Sequence, residues 1–162
     1  MTSPGFNFDE LDYLYREVIL DHYRSPRNQK SLPNADVKAE GFNPFCGDEI
    51  TVALALDGEG RIQGVSFKGR GCSISQASAS MMSEALKGRT LEEADAIAAQ
   101  FRTMMQGKEL PGSQKAELEE LEALQGVCKF PVRIKCALLG WATLEEGIQA
   151  YRAKRGAAHG QP

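Results

Sequence analysis

No stretch of this chain approaches the roughly 20 consecutive apolar residues needed to cross a bilayer. The opening MTSPGFNFDELD has neither the positive start nor the apolar middle of a secretion signal. Runs of basic residues are missing too. Lysine and arginine are interspersed with acids at a formal net charge of −3, so no nucleic-acid-binding face is expected. There is no internal repeat and no composition break to mark a domain boundary. These absences predict a cytoplasmic protein with no membrane and no nucleic-acid partner. One domain over 1–162 is expected, with an ordered core of about 8–155. At 162 residues and 42% hydrophobic content the chain can bury a sizeable core.

Cysteine is scarce at four residues, and none of the four stands in a CxxC pair. In a reducing compartment such cysteines are buried small hydrophobes, metal ligands or reactive thiols rather than disulfide partners.

The apolar spacing of Leu11, Leu14, Tyr15, Val18, Ile19 and His22 predicts an amphipathic helix from Phe8 to about Tyr23, ended by "RSPRN". Three strand signals follow: "DVKAEGFN", then "EITVALALD" with Ile50, Val52, Leu54 and Leu56 at period two, then "RIQGVSFKG" after a "DGEG" turn, with a bulge expected at Gly64. The remainder reads as helices. "SISQASASMMSEALKG" carries Ile74, Ala77, Met81 and Ala85 on one side and Gly88 as C-terminal cap. "TLEEADAIAAQFRTMM" opens with Thr90 and Glu93 in capping-box spacing. A short charged helix over "KAELEELEALQG" presents Leu118, Leu121 and Leu124. The last helix, "FPVRIKCALLGWATLEEGIQAYRAK", is expected to break near Gly140, with Thr143 and Glu146 as a second capping box, and "RGAAHGQP" to fray. Strands first and helices after is the α+β pattern, here a three-stranded antiparallel meander with one face buried.

Three cysteines sit in unusual settings. Cys46 lies in the turn "NPFCGD", where Gly47 lets Cys46 and Asp48 point to one side. Cys72 stands at the first turn of a helix, where unpaired N–H groups and the helix dipole favour thiolate. Cys136 is near the start of the last helix, with Arg133 one turn earlier and Lys135 beside it. Three thiolates and a carboxylate suit a tetrahedral Zn²⁺ site. Spacing alone leaves two readings open: one shared site, or three separately buried cysteines.

Four segments in order, "ILDHYRSPRN", "NPFCGDEI", "GRGCSISQASASMM" and "FPVRIKCALLGW", resemble the U-type iron–sulfur assembly proteins, the superfamily of IscU, SufU and NifU N-terminal domains. The resemblance runs from about Leu14 to Gln149. Lys135 stands where IscU proteins typically carry a histidine. A segment of about Gly107 to Gly126 is inserted, and the LPPVK chaperone-binding segment is missing. Both features match the SufU branch and argue against an IscU-style Hsp70 partnership.

The resemblance implies an α+β fold with helices packed mainly on one face of a three-stranded antiparallel sheet. It implies a ligand set of Cys46, Asp48, Cys72 and Cys136 holding zinc, and Cys46 as acceptor of persulfide sulfur from a SufS-type cysteine desulfurase, with downstream iron–sulfur assembly proteins as further partners. Ligand exchange, with a partner histidine displacing Cys46, is the expected way to free its thiolate. Two alternatives stand beside this: a scaffold for a labile, transient 2Fe–2S or 4Fe–4S cluster on the same thiolates, and a non-catalytic adaptor with structural zinc. Arg133 and Lys135 are supporting residues; Arg133 is expected either to pair with Asp48 or an incoming persulfide, or to be a solvated charge at the helix start. Cys128, His22 and the four methionines Met81, Met82, Met104 and Met105 read as packing residues, and His159 as idle.

Overall fold

Three segments of alternating polarity pair as an antiparallel sheet in the order β1-β2-β3: β1 is Val37–Asn43, β2 is Asp48–Leu56 and β3 is Ile62–Arg70. The structure, a computed structural model, describes residues 13–44, 47–112 and 118–159. The expected first helix turn from Phe8 therefore lies outside the described residues, as does Cys46.

The β1–β2 register runs from Val37 opposite Leu54 to Asn43 opposite Asp48. Asp57 sets the next hairpin: its carboxylate accepts the N–H groups of Glu59 and Arg61, each at 2.9 Å, and Gly60 adopts φ +82°. Ala55 then pairs with Gly64 but Leu56 with Ile62. The extra residue is thus Gln63, one position before the glycine expected to bulge.

Ile50, Val52, Leu54, Val65 and Phe67 are buried on one face of the sheet. Against it pack α2 (Ser73–Leu86) on β3 and α4 (Pro131–His159) on β1 and β2. The approach of α4 is close: a Cβ at Gly41 would overlap the Thr143 hydroxyl. Outside these lie α1 (Tyr13–Arg24), α3 (Leu91–Met105) and a 3-10 segment, Glu119–Lys129. The loop after α1 turns back over β3, where the Asn28 carbonyl accepts the Phe67 N–H at 3.1 Å.

Several local expectations differ from the outcome. The helix α2 is not one-sided: twelve of its fourteen residues are buried. It threads between the sheet, α1 and α4, so its serines need partners inside the protein. Ser78 donates to the Ala137 carbonyl at 2.7 Å and accepts from Trp141 Nε1 at 3.3 Å. Ser80 lies 2.8 Å from His22 Nδ1 and accepts the Arg27 N–H at 2.9 Å.

The helix α4 runs unbroken through Gly140 to His159. Thr143 is no cap, because its hydroxyl bonds back to the Leu139 carbonyl at 2.8 Å. The expected charged helix is a 3-10 segment over Glu119–Lys129. At three residues per turn, Leu118, Leu121, Leu124 and Val127 fall on one face, and all are buried. Thr90 and Glu93 do form their capping box on α3, and Gly88 follows α2 with φ +81°.

Candidate metal centre

Each candidate ligand sits where one element hands over to another. Asp48 is the first residue of β2. Cys72 is the N-cap of α2, only two residues after β3 ends. Cys136 is in the second turn of α4. The sheet register and the helix packing bring all three together: one ligand atom from each of Asp48, Cys72 and Cys136 lies within 4.8 Å of the others. Tetrahedral zinc with bonds of about 2.0–2.3 Å sets neighbouring ligand atoms roughly 3.3–3.8 Å apart. A small contraction of this cluster reaches that geometry.

The carboxylate is the most informative group. Asp48 is fully buried. Its Oδ1 accepts the Cys72 N–H at 2.9 Å, which satisfies one of the unpaired donors at the start of α2. Its Oδ2 is buried with no hydrogen-bond partner among the described residues. A buried carboxylate oxygen left this way is costly unless something charged completes it. Gly71 leaves the space: a Cβ there would overlap Asp48 Oδ1 and lie 2.5 Å from Ser75 Oγ.

The two thiols sit in different settings. Cys72 is held well below the usual thiol range, at about 5, foremost by a hydrogen bond from the Cys136 thiol and then by the Ser75 N–H, against the opposing effects of burial and the Asp48 charge. Cys136 is fully buried. Its sulfur lies 3.7 Å from Arg133 Nη1, 3.9 Å from Asn43 Nδ2 and 3.8 Å from the Val132 carbonyl. Arg133 is itself buried, so its charge acts on Cys136 with little solvent screening. Lys135 is exposed, and water screens any effect it has on the site.

Cys46 lies outside the described residues. Among the described neighbours, the Gly47 N–H donates to the Asn43 carbonyl at 2.9 Å, and Gly47 has φ +68°. Cys128 is half-buried in the 3-10 segment and is not part of the cluster. His22 is buried and spans Ser80 and Glu120 Oε1, the latter at 3.2 Å. Met81, Met82, Met104 and Met105 are core residues. The sequence reading missed Asn43, Ser75 and Gly71 as parts of the site. The signal for Asn43 was its place three residues before Cys46, where it reads only as a turn former.

A buried carboxylate, a buried thiol and a half-buried thiol gathered at the end of a three-stranded sheet form a group of the kind that could hold a metal ion. The chain belongs to the family of NifU-like N-terminal domains, whose model matches residues 14–101. It is 51% identical over 85% of its length, and 91% of the relative's, to the zinc-dependent sulfurtransferase SufU of Bacillus subtilis. It is 43% identical over 86% of both chains to the iron–sulfur cluster assembly scaffold protein IscU of Streptococcus pyogenes. Among solved structures it resembles FiSufU from Fervidobacterium islandicum AW-1, with a TM-score of 0.73 at 37% identity, covering 81% of this chain and 93% of that one.

Proposed function

We propose that this protein is a zinc-dependent acceptor and carrier of persulfide sulfur in iron–sulfur cluster assembly. It takes sulfur from a SufS-type cysteine desulfurase and hands it to downstream assembly proteins. The observation that carries this reading is the buried Asp48 Oδ2, unpartnered among the described residues, beside the Cys72 and Cys136 sulfurs. A single cation completes that arrangement, and the mixed sulfur and oxygen donors fit zinc. The similarity to a protein named as a zinc-dependent sulfurtransferase supports it.

Asp48, Cys72 and Cys136 hold the ion, with Cys46 as the fourth ligand. Zinc bound there keeps its thiol ligands deprotonated and ties a turn, a helix start and a distant helix into one unit. Arg133 offsets part of the negative charge of three thiolates and a carboxylate. Lys135 adds a solvent-screened positive charge on the same helix. Cys46, free as thiolate, attacks the outer sulfur of the desulfurase persulfide. The donor's S–S bond breaks, its cysteine leaves as thiolate, and Cys46 carries the new S–S bond, so the exchange needs no outside oxidant or reductant. Among the described residues no helix is long and apolar enough to cross a membrane. A reducing cytoplasm, which keeps such thiols available, suits the transfer.

A cluster scaffold is the second reading, favoured by the likeness to the Streptococcus pyogenes scaffold protein. There the same thiolates hold an iron–sulfur cluster as cargo, loosely because aspartate replaces a fourth cysteine. Elemental analysis and an absorption spectrum of protein purified without added metal separate the two. Colourless protein with about one zinc per chain is expected for the carrier; iron with matching sulfide and brown colour would make it a scaffold. Cys46→Ser is expected to abolish both the protein-bound persulfide seen by mass spectrometry and the stimulation of a cysteine desulfurase. Unchanged stimulation by this variant rules out the carrier.

A further inference from the structure

One residue joins two of the ligand-bearing segments. The Asn43 carbonyl accepts the Gly47 N–H at 2.9 Å, next to Asp48. In the β1–β2 ladder Asn43 stands opposite Asp48. Its side-chain amide reaches across to α4, where Nδ2 lies 3.9 Å from Cys136 Sγ over a sequence separation of 93. The residue is buried, at 6% exposure, so this amide acts in a low-dielectric interior where polar contacts count for more.

The two thiols of the cluster differ in consequence. Cys72 is half-buried and its sulfur lies 3.9 Å from the Ser75 hydroxyl. Cys136 is fully buried, and two N–H donors, Asn43 Nδ2 and Arg133 Nη1, point at its sulfur. Donors of this kind fix a thiolate in place and draw charge from it, as outer groups do for metal ligands generally. Serine at position 43 would be too short to reach the sulfur. Aspartate would replace the donor by an acceptor and add another negative charge beside Asp48.

We propose that Asn43 is the positioning residue of the metal centre: its side-chain N–H orients Cys136 and tunes its sulfur as a zinc ligand, while its main chain holds Gly47 beside Asp48. The proposal rests on the zinc-site reading above. It makes Cys136 the anchored ligand of the set, distinct from Cys46, which must come free.

The test uses the full chain, Asn43→Leu and Asn43→Ala, each stripped of metal and reloaded separately with Zn²⁺ and Co²⁺. Both substitutions keep the main-chain bond to Gly47 and remove only the amide. Leucine keeps much of the side-chain volume, and alanine serves where leucine is not accommodated; circular dichroism reports whether each variant folds. Zinc affinity, measured by competition with a chromophoric chelator, is expected to fall by about 10- to 100-fold. The sulfur-to-cobalt charge-transfer band is expected to move to longer wavelength, because a sulfur that loses an N–H bond gives up its electrons more easily. A folded variant whose band stays in place overturns the proposal whatever its affinity, since a merely structural role for Asn43 predicts no change at the sulfur. Wild-type protein that takes up neither ion overturns the zinc-site reading itself, a different result from wild-type uptake with unaltered variants.

Discussion

Gly71→Ala should damage the metal centre while leaving the fold largely intact. Gly71 does not need glycine for its backbone conformation, since its φ is not in the left-handed region. What it needs is room. A Cβ at this position would overlap Asp48 Oδ1, lie 2.5 Å from Ser75 Oγ and 2.9 Å from Asp48 Cγ, where ordinary contact begins at 3.4 Å. The Ser75 hydroxyl can rotate away. The carboxylate carbon must retreat by at least the difference between 3.4 and 2.9 Å, 0.5 Å. Oδ1 moves with it, away from the Cys72 N–H it accepts at 2.9 Å. Forcing one methyl into a packed site costs about 1–3 kcal/mol. Relieved by moving a ligand, that strain becomes a loss of roughly 5- to 150-fold in zinc affinity, at 1.4 kcal/mol per factor of ten. The stability of the metal-free protein should change less, because alanine also restricts the unfolded chain by about 0.4–1 kcal/mol. Gly112→Ala is the matched control: Gly112 is exposed, its φ is not left-handed and a Cβ there meets nothing within 4 Å among the described residues. Chelator competition gives the zinc affinity of the three proteins, and urea denaturation of the metal-free forms gives their stability. A Gly71→Ala protein that binds zinc within about threefold of the control would refute the argument that Asp48 is held against Gly71 as a ligand, since even the lower bound of the strain exceeds that factor.

Removing metal should itself destabilise the protein. At free zinc about 1,000 times Kd, binding adds about 4 kcal/mol, or roughly 8–16 °C in Tm for a chain of this size; equal melting curves with and without chelator would show that no such site closes. Ser80→Ala removes the hydroxyl shared by the His22 ring and the Arg27 N–H, and should cost about 1–3 kcal/mol in urea denaturation. It should leave zinc content unchanged, because the network holds α1 to α2 rather than the site. Thr90→Ala breaks the α3 capping box, with an expected loss of about 1 kcal/mol; no change in the denaturation midpoint would show that the cap contributes nothing. Trp141→Ala empties the centre of the helical layer, where the indole stacks on Phe101 at 5.0 Å between ring centres and bonds to Ser78. A loss of about 3–5 kcal/mol is expected, and a much smaller one would mean that the layer repacks around the gap.

The sequence by itself determined those features that arise over a few residues. Alternation in "EITVALALD" marked β2 because side chains on a strand alternate faces. Thr90 and Glu93 marked the start of α3 because a capping box closes within one turn. The residue types at the candidate site were also readable, but whether the cysteines share one site was not, since spacing left separately buried thiols equally open. What the tertiary structure decided was how distant segments meet. That Asp48, Cys72 and Cys136 share one cluster depends on the β2–β3 register and on α4 lying across β1, which no local period encodes. Gly140 and Thr143 looked like a break and a cap, yet packing against the sheet and α2 keeps α4 continuous. The apolar residues of α2 marked only one side of it, but burial on all sides turned its serines into internal hydrogen-bond partners. The amide of Asn43 could be placed on Cys136 only once α4 was in position, because a hydrogen bond spanning 93 residues follows from the packing of the whole core and not from any neighbour along the chain.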